Sequence, residues 1–363
     1  MVSVIVVRPS CSTSVVASIA SPWHYGILRL ASDGLSHGRD EAYPRRCPNV
    51  INFSVMETCG CGTAIVTPFK ADGSIDEAAL RALVNWQIDS GIDFLVACGS
   101  TGEAATLDQD EWLMTLCIVT DAAAGRVPVW AGCTHNSTRA LLKQAALLRQ
   151  VRGVNAVLSA NPYYNKPSQE GQFQHFLALA EAVDPLPVAL YNVPGRTAVN
   201  LDPETVVRLA AAAHNIHAIK EASGKLPQIA ELLHTLPRGF KVFSGDDNLA
   251  LPAIGLGAHG LISVASNEIP AEMGRMIRAA LHNDWNRARE IERKYARLFE
   301  ANFWESNPAP VKAVLQMMGR TGDTVRLPLV PPAPATRAKL ERLAGELGLL
   351  KFAPQPEGDM RMF

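Results

Sequence analysis

Residues 188–220 read VALYNVPGRTAVNLDPETVVRLAAAAHNIHAIK, and this stretch decides the fold. An apolar run of β-forming character, Val188 to Tyr191, is followed by a turn. Asp202-Pro203 then supplies a helix cap with proline at the first helical position, and the helix it opens leads into a second short apolar run, His217 to Lys220. A strand, a helix and a strand in about thirty residues form one unit of an α/β fold with a parallel sheet.

The same alternation extends outward in both directions from Gly62. The strand candidates are Thr63 to Thr67, Phe94 to Cys98, Val127 to Ala131, Asn155 to Ser159, Val188 to Tyr191, His217 to Lys220, Lys241 to Ser244 and Gly260 to Val264. Eight such runs fit a closed (β/α)8 TIM barrel. A helix cap is expected at Ser137, ahead of the apolar stripe Leu141, Leu142, Ala145 and Leu148. After Leu281 the strand pattern ceases. Trp285 to Phe303, Pro310 to Gly319 and Ala335 to Leu349 read as helices of a small C-terminal helical domain. The expected organisation is a barrel over 56–280, a helical domain over 281–350 and a tail over 351–363. Residues 1–55 lack any sustained period and read as a disordered N-terminal extension. Met56 is a candidate initiator, with the preceding residues an over-long gene assignment. A transit peptide fits less well because of Asp33, Asp40 and Glu41.

Of the 363 residues, 48% are hydrophobic and 19% charged, with a formal net charge of -1, enough apolar content for a full-size core. No basic stripe marks a nucleic-acid or anionic-lipid partner. No apolar run approaches the roughly 18 residues of a membrane span, and the opening run Val2 to Val7 stops at Arg8-Pro9. The seven cysteines are odd in number and irregularly spaced, as expected of reduced thiols in a cytoplasmic protein. Cys59-Gly60-Cys61 is too tight for the usual metal chelate.

A barrel of this kind builds its site at the C-terminal ends of its strands. Lys220 ends the sixth candidate, after an apolar run. Burial disfavours an ammonium relative to a neutral amine, and a neutral amine can attack a carbonyl to form an imine. The alternative is a lysine paired with Glu221. Tyr191 and Arg196 project from the fifth strand and its loop toward the same mouth, as a phenol able to relay protons and a planar clamp for a carboxylate. Their plainer readings are a buried tyrosine and a surface ion pair. After the second strand, Gly99-Ser100-Thr101-Gly102-Glu103 can turn successive N–H groups inward to hold an anion, or be an ordinary tight turn.

Together these segments resemble the 4-hydroxy-tetrahydrodipicolinate synthases, within the pyruvate-dependent class I aldolase and N-acetylneuraminate lyase superfamily. The resemblance runs from Gly62 to Leu350. Its motifs are Gly62 to Phe69, Gly99 to Glu103, Asn161 to Pro167, Tyr191 to Thr197, Ala218 to Gly224 and Ser244 to Asp247. It implies that Lys220 forms a Schiff base with pyruvate, whose carboxylate is held by the N–H groups and hydroxyls of Ser100 and Thr101. Tyr191 relays protons with Ser100 and with Tyr164, the latter from a neighbouring subunit, so a homotetramer is implied. Arg196 binds the carboxylate of aspartate 4-semialdehyde, while Gly245 and the backbone near Ile262 lie beside pyruvate. No metal or organic cofactor is needed.

The sequence departs from that family's usual pattern at Ser100, where a threonine is commoner, and at Gly132-Cys133-Thr134-His135-Asn136. His135 could be an extra acid or base, but a loop histidine is the simpler reading. Asn136 and Tyr163 match the lysine-feedback site of sensitive enzymes, whereas Trp112 and Ala140 replace a histidine and a glutamate there, so weak or absent feedback is expected. The nearest rival function is a sister aldolase acting on a 2-keto-3-deoxy sugar acid or 4-hydroxy-2-oxoglutarate. A non-catalytic binding barrel is a further alternative.

Overall fold

The computed structural model describes residues 58–350. The expectations for residues 1–55 and for the tail 351–363, and with them Cys11, Cys47 and Met56, lie outside the described residues. Among those residues, eight strands follow in chain order: β1 (Gly60–Ala64), β2 (Phe94–Ala97), β3 (Val129–Gly132), β4 (Val154–Ala160), β5 (Val188–Asn192), β6 (Ile216–Glu221), β7 (Lys241–Ser244) and β8 (Gly260–Ser263). Each pairs in parallel with the next, and β8 pairs with β1 to close the barrel. The TIM barrel read from the alternation is the observed fold, followed by C-terminal helices.

β1 begins three residues earlier than the sequence suggested. Gly60 pairs with Gly260, and a Cβ on Gly260 would stand 1.9 Å from the Gly60 carbonyl oxygen. A strand opening on glycine lacks the β-branched residues that betray strands. Val66, read as the strand's continuation, has left the sheet: its N–H donates to Asn267 Oδ1 at 3.0 Å.

Alternation along each strand produces two apolar layers. The inner one fills the barrel with Phe94, Trp130 and Phe243, whose ring centroids lie 4.7 to 5.6 Å apart. The outer one packs strands against helices. Gly62 belongs to this arrangement, since a Cβ there would lie 2.2 Å from the Phe94 ring.

Local chemistry fixes the helix starts. Ser137 accepts from Ala140 N–H at 3.5 Å, as its position predicts. Asp202 holds the cap position before Pro203, but its carboxylate accepts from Asn200 Nδ2 at 2.8 Å. The N–H of Thr205 bonds the Asp202 backbone carbonyl instead, which leaves the side chain free for Asn200. The C-terminal helices run Trp285–Ala301, Ala309–Met317 and Pro334–Glu346, within three residues of each expected boundary. The first buries Ala288, Ile291, Tyr295 and Leu298, the helical spacing of a packing face.

Candidate active site

Seven of the eight strands, or the loops after them, line a cavity of about 70 Å³ at the C-terminal mouth of the barrel. Lys220 is its centre. On β6 it points inward and is 5% exposed, while the next residue, Glu221, points outward. There Glu221 accepts from Asn192 Nδ2, Ser223 N–H and Gln228 Nε2 at 2.7 to 3.2 Å. Adjacent strand residues face opposite sides of the sheet, so the contemplated pairing of Lys220 with Glu221 gives way to separate environments.

Tyr191 stands beside Lys220 in register across β5 and β6, 8% exposed, with the lysine Nζ 4.4 Å from its ring centroid. Gly245 follows β7. A Cβ there would meet Lys220 Cε at 3.0 Å and Ala222 Cβ at 2.6 Å, so the missing side chain is the space in which the lysine lies.

The loop after β2 forms a tight turn closed by Glu103 N–H to the Ser100 carbonyl at 3.1 Å. Cys98 and Glu103, at its two ends, adopt φ of 55° and 53°. Thr67 Oγ1 donates to the Gly102 carbonyl at 2.7 Å, and Asn307 Nδ2 donates to Thr101 Oγ1 at 2.9 Å. Among the described residues, the N–H groups of Ser100 and Thr101 are not spent on a protein acceptor. Both residues line the cavity. Arg196, in the short helix Pro194–Thr197, lines its rim and donates to the Asn307 carbonyl at 3.4 Å.

Ser100, Thr101, Tyr191, Arg196, Lys220 and Gly245 are thus brought to one cavity. Two expected site residues are not. Ile262 is fully buried in the inner layer, and Val264, further along the chain, lines the cavity in its place. Tyr164 is 86% exposed and lies outside this chain's own cavity wall. His135 is a loop residue whose Nδ1 accepts from Ser137 N–H at 3.0 Å, bracing the helix cap. Among the described residues, Cys59, Cys61, Cys98 and Cys133 are free thiols.

Among the lining residues that the sequence did not mark for the site are Asp246, Phe303 and Asn307. Asp246 lies in the Ser244 to Asp247 motif, next to Gly245. Burial pushes its carboxyl up to about 6, the nearby Lys220 opposes that shift, and Asp247 and Glu221 add to it. Asp247 itself is buried and accepts from Ser263 Oγ and the N–H groups of Val264 and Ala265, fixing the end of β8. Asn307 precedes a helix and shows no periodicity, yet it bridges Thr101 and Arg196, and its Oδ1 is buried without a partner.

A family model described as the Dihydrodipicolinate synthetase family matches residues 57–347. The chain belongs to this family. The 4-hydroxy-tetrahydrodipicolinate synthase of Acidobacterium capsulatum is 62% identical over 302 residues, covering 83% of this chain and all of that one. The crystal structure of dihydrodipicolinate synthase from Aquifex aeolicus superposes with a TM-score of 0.79 at 39% identity, covering 82% of this chain and 100% of that one. The pyruvate complex of the Acinetobacter baumannii dihydrodipicolinate synthase gives 0.78 at 41% identity, covering 80% and 99%. The family's fold therefore spans the whole barrel and the C-terminal helices. Among the described residues, no helix is long and apolar enough to cross a membrane.

Proposed function

We propose that this chain condenses pyruvate with L-aspartate 4-semialdehyde through an imine on Lys220, the lyase-class activity for which its relatives are named. The observation that carries the reading is the lysine amine, buried at 5% exposure, in one cavity with Tyr191, the Ser100–Thr101 loop and Arg196. Within the superfamily, the arginine is what favours a semialdehyde bearing its own carboxylate over a sugar acid.

Pyruvate enters with its carboxylate on the free N–H groups of Ser100 and Thr101 and on their hydroxyls. The neutral Lys220 amine adds to its keto carbon, and loss of water leaves the imine. The protonated imine draws electrons from the adjacent methyl, which loses a proton to give the enamine. That carbon attacks the aldehyde, forming the new carbon–carbon bond and an alkoxide that takes up a proton. The semialdehyde's own amino group then adds to the imine carbon, expels Lys220 and closes the ring. Electron flow runs through the imine throughout, so the scheme calls on neither metal nor organic cofactor.

Tyr191 is the proton carrier in this scheme, since it lies against Lys220 and beside the water-loss step. Ser100 continues the relay toward solvent. Tyr164, exposed on its own chain, completes the relay from a second subunit, and a homotetramer built from such dimers is the assembly this reading requires. Arg196 at the rim takes the semialdehyde carboxylate. All substrates are small molecules met in the cytoplasm.

The test is borohydride reduction with pyruvate, followed by intact mass, and a coupled assay with the semialdehyde and a dihydrodipicolinate reductase. The expected result is a mass increase in wild type, none in Lys220→Ala, and coupled turnover. Trapping without turnover assigns the chain to a sister aldolase, and no trapping refutes the mechanism.

A further inference from the structure

The loop that carries Ser100 and Thr101 ends on a carboxylate whose partner lies 209 residues away. Lys312, in the helix Ala309–Met317, is wholly buried and ion-paired with Glu103, whose side chain is 1% exposed. The lysine also donates to the Thr324 carbonyl at 2.8 Å and lies 4.2 Å from the Phe69 ring centroid. The second carboxylate oxygen of Glu103 accepts from Arg326 N–H at 3.0 Å. Arg326 is anchored in turn by Glu111 and by the carbonyls of Gly73 and Thr106.

Such a pair is a poor device for stability alone. Desolvating two charges costs about as much as their attraction returns, and apolar residues of similar volume often do better. Burial pulls Lys312 down to about 8 against the opposing pull of Glu103. Glu103 also holds a left-handed backbone conformation, φ 53°, which side chains rarely adopt unless their surroundings impose it. What the pair does fix is geometry. The N–H of Glu103 closes the turn onto Ser100, so pinning the carboxylate sets the plane in which the N–H groups of Ser100 and Thr101 point. Asn307, from the same C-terminal segment, pins Thr101 Oγ1 independently.

We infer that Glu103 and Lys312 are positioning residues for the carboxylate of the keto-acid substrate: the C-terminal helical segment, through this buried pair, holds the anion-binding loop in its active shape. The inference rests on the functional reading above. It assigns the acid-recognising half of the site to a contact between the barrel and the helices that follow it. A merely structural pair would loosen both substrate sites together. A positioning pair acts mainly on the pyruvate side, because Arg196 sits on its own short helix after β5 and meets the C-terminal segment only through the Asn307 carbonyl at 3.4 Å, which neither Glu103 nor Lys312 touches.

The experiment compares wild type with Glu103→Gln and with the double variant Glu103→Gln/Lys312→Met, each checked for cooperative thermal unfolding. The double variant leaves no unpaired buried charge and so preserves the fold where the single change does not. KM for pyruvate is expected to rise at least tenfold in both, with KM for the semialdehyde within about twofold of wild type. An unchanged pyruvate KM in a folded variant, or an equal rise in both KM values, overturns the inference. A measurement on wild type needs no substitution: pyruvate should slow amide hydrogen exchange in residues 99–104 and in 309–326 together, and protection confined to the first segment also overturns it. If wild-type enzyme shows no borohydride trapping with pyruvate, the functional reading itself falls, a result distinct from any of these.

Discussion

Replacing Asp246 by asparagine should stabilise the protein in a pH-dependent way. An aspartyl carboxyl titrates near 3.8 when exposed, whereas burial holds Asp246 at about 6. Between those values the folded chain keeps a proton that the unfolded chain releases. Stability from this group therefore falls as pH rises through the window, and above about 6 the full penalty of a buried carboxylate is present. At about 1.4 kcal/mol per pH unit, the difference between 3.8 and about 6 corresponds to at most about 3 kcal/mol. Contact with solvent at the cavity mouth reduces it to an expected 1–2 kcal/mol, roughly. Asp246 hydrogen-bonds through its backbone, to and from Ser244 Oγ and from Leu249 N–H, so the amide sacrifices none of these bonds. The assay is the thermal midpoint at fixed protein concentration from pH 4 to pH 8. Asp246→Asn should match wild type near pH 4 and exceed it at pH 8 by roughly 2–4 °C per kcal/mol. Curves that stay parallel across the range, or a variant less stable at pH 8, would refute the account of this carboxyl.

Three further expectations concern the site. Arg196→Ala should raise KM for the semialdehyde about ten- to a hundredfold, the worth of a charged hydrogen-bonded contact, while pyruvate trapping on Lys220 continues; steady-state kinetics with each substrate varied separates the two. Gly245→Ala places a methyl 3.0 Å from Lys220 Cε and should slow imine formation at least about tenfold, read as the rate of mass increase under borohydride, with wild-type rates counting against the spatial role of this glycine. Free lysine should leave turnover unchanged at sub-millimolar concentration. Trp112, where sensitive enzymes carry a histidine, is 1% exposed and spends its indole N–H on the Gly132 carbonyl at 2.9 Å, and Ala140 offers no carboxylate; half-maximal inhibition in that range would contradict this.

Much of the molecule was legible because a parallel barrel writes itself locally. Each strand, helix and loop follows in order, so apolar periodicity located all eight strands, and the rule that strand ends carry the site led to Lys220, Tyr191 and the loop at Ser100. Legibility ended where structure depends on distant residues. The start of β1 is set by the close approach of Gly60 to Gly260, which glycine permits but does not announce. Asn307 and Lys312 act on a loop more than two hundred residues earlier, and neither lies in a segment whose spacing marks it as functional. Ile262 was tied to the site on resemblance through its backbone, and alternation along β8 sends its side chain into the packed interior.

The closing contact between β1 and β8 also makes completion of the barrel a late step. The two strands lie about two hundred residues apart in the chain, and long-range parallel pairing is slow because a large loop must close first. During synthesis, a nascent chain exposes Lys220 long before residues 307–326 have been made. At that stage the Lys220 amine exists, but the loop at Ser100 and Thr101 still lacks its contacts with Asn307 and Lys312. Under the proposed mechanism, activity is thus a late event in the life of each molecule, arriving with the last helices rather than with Lys220.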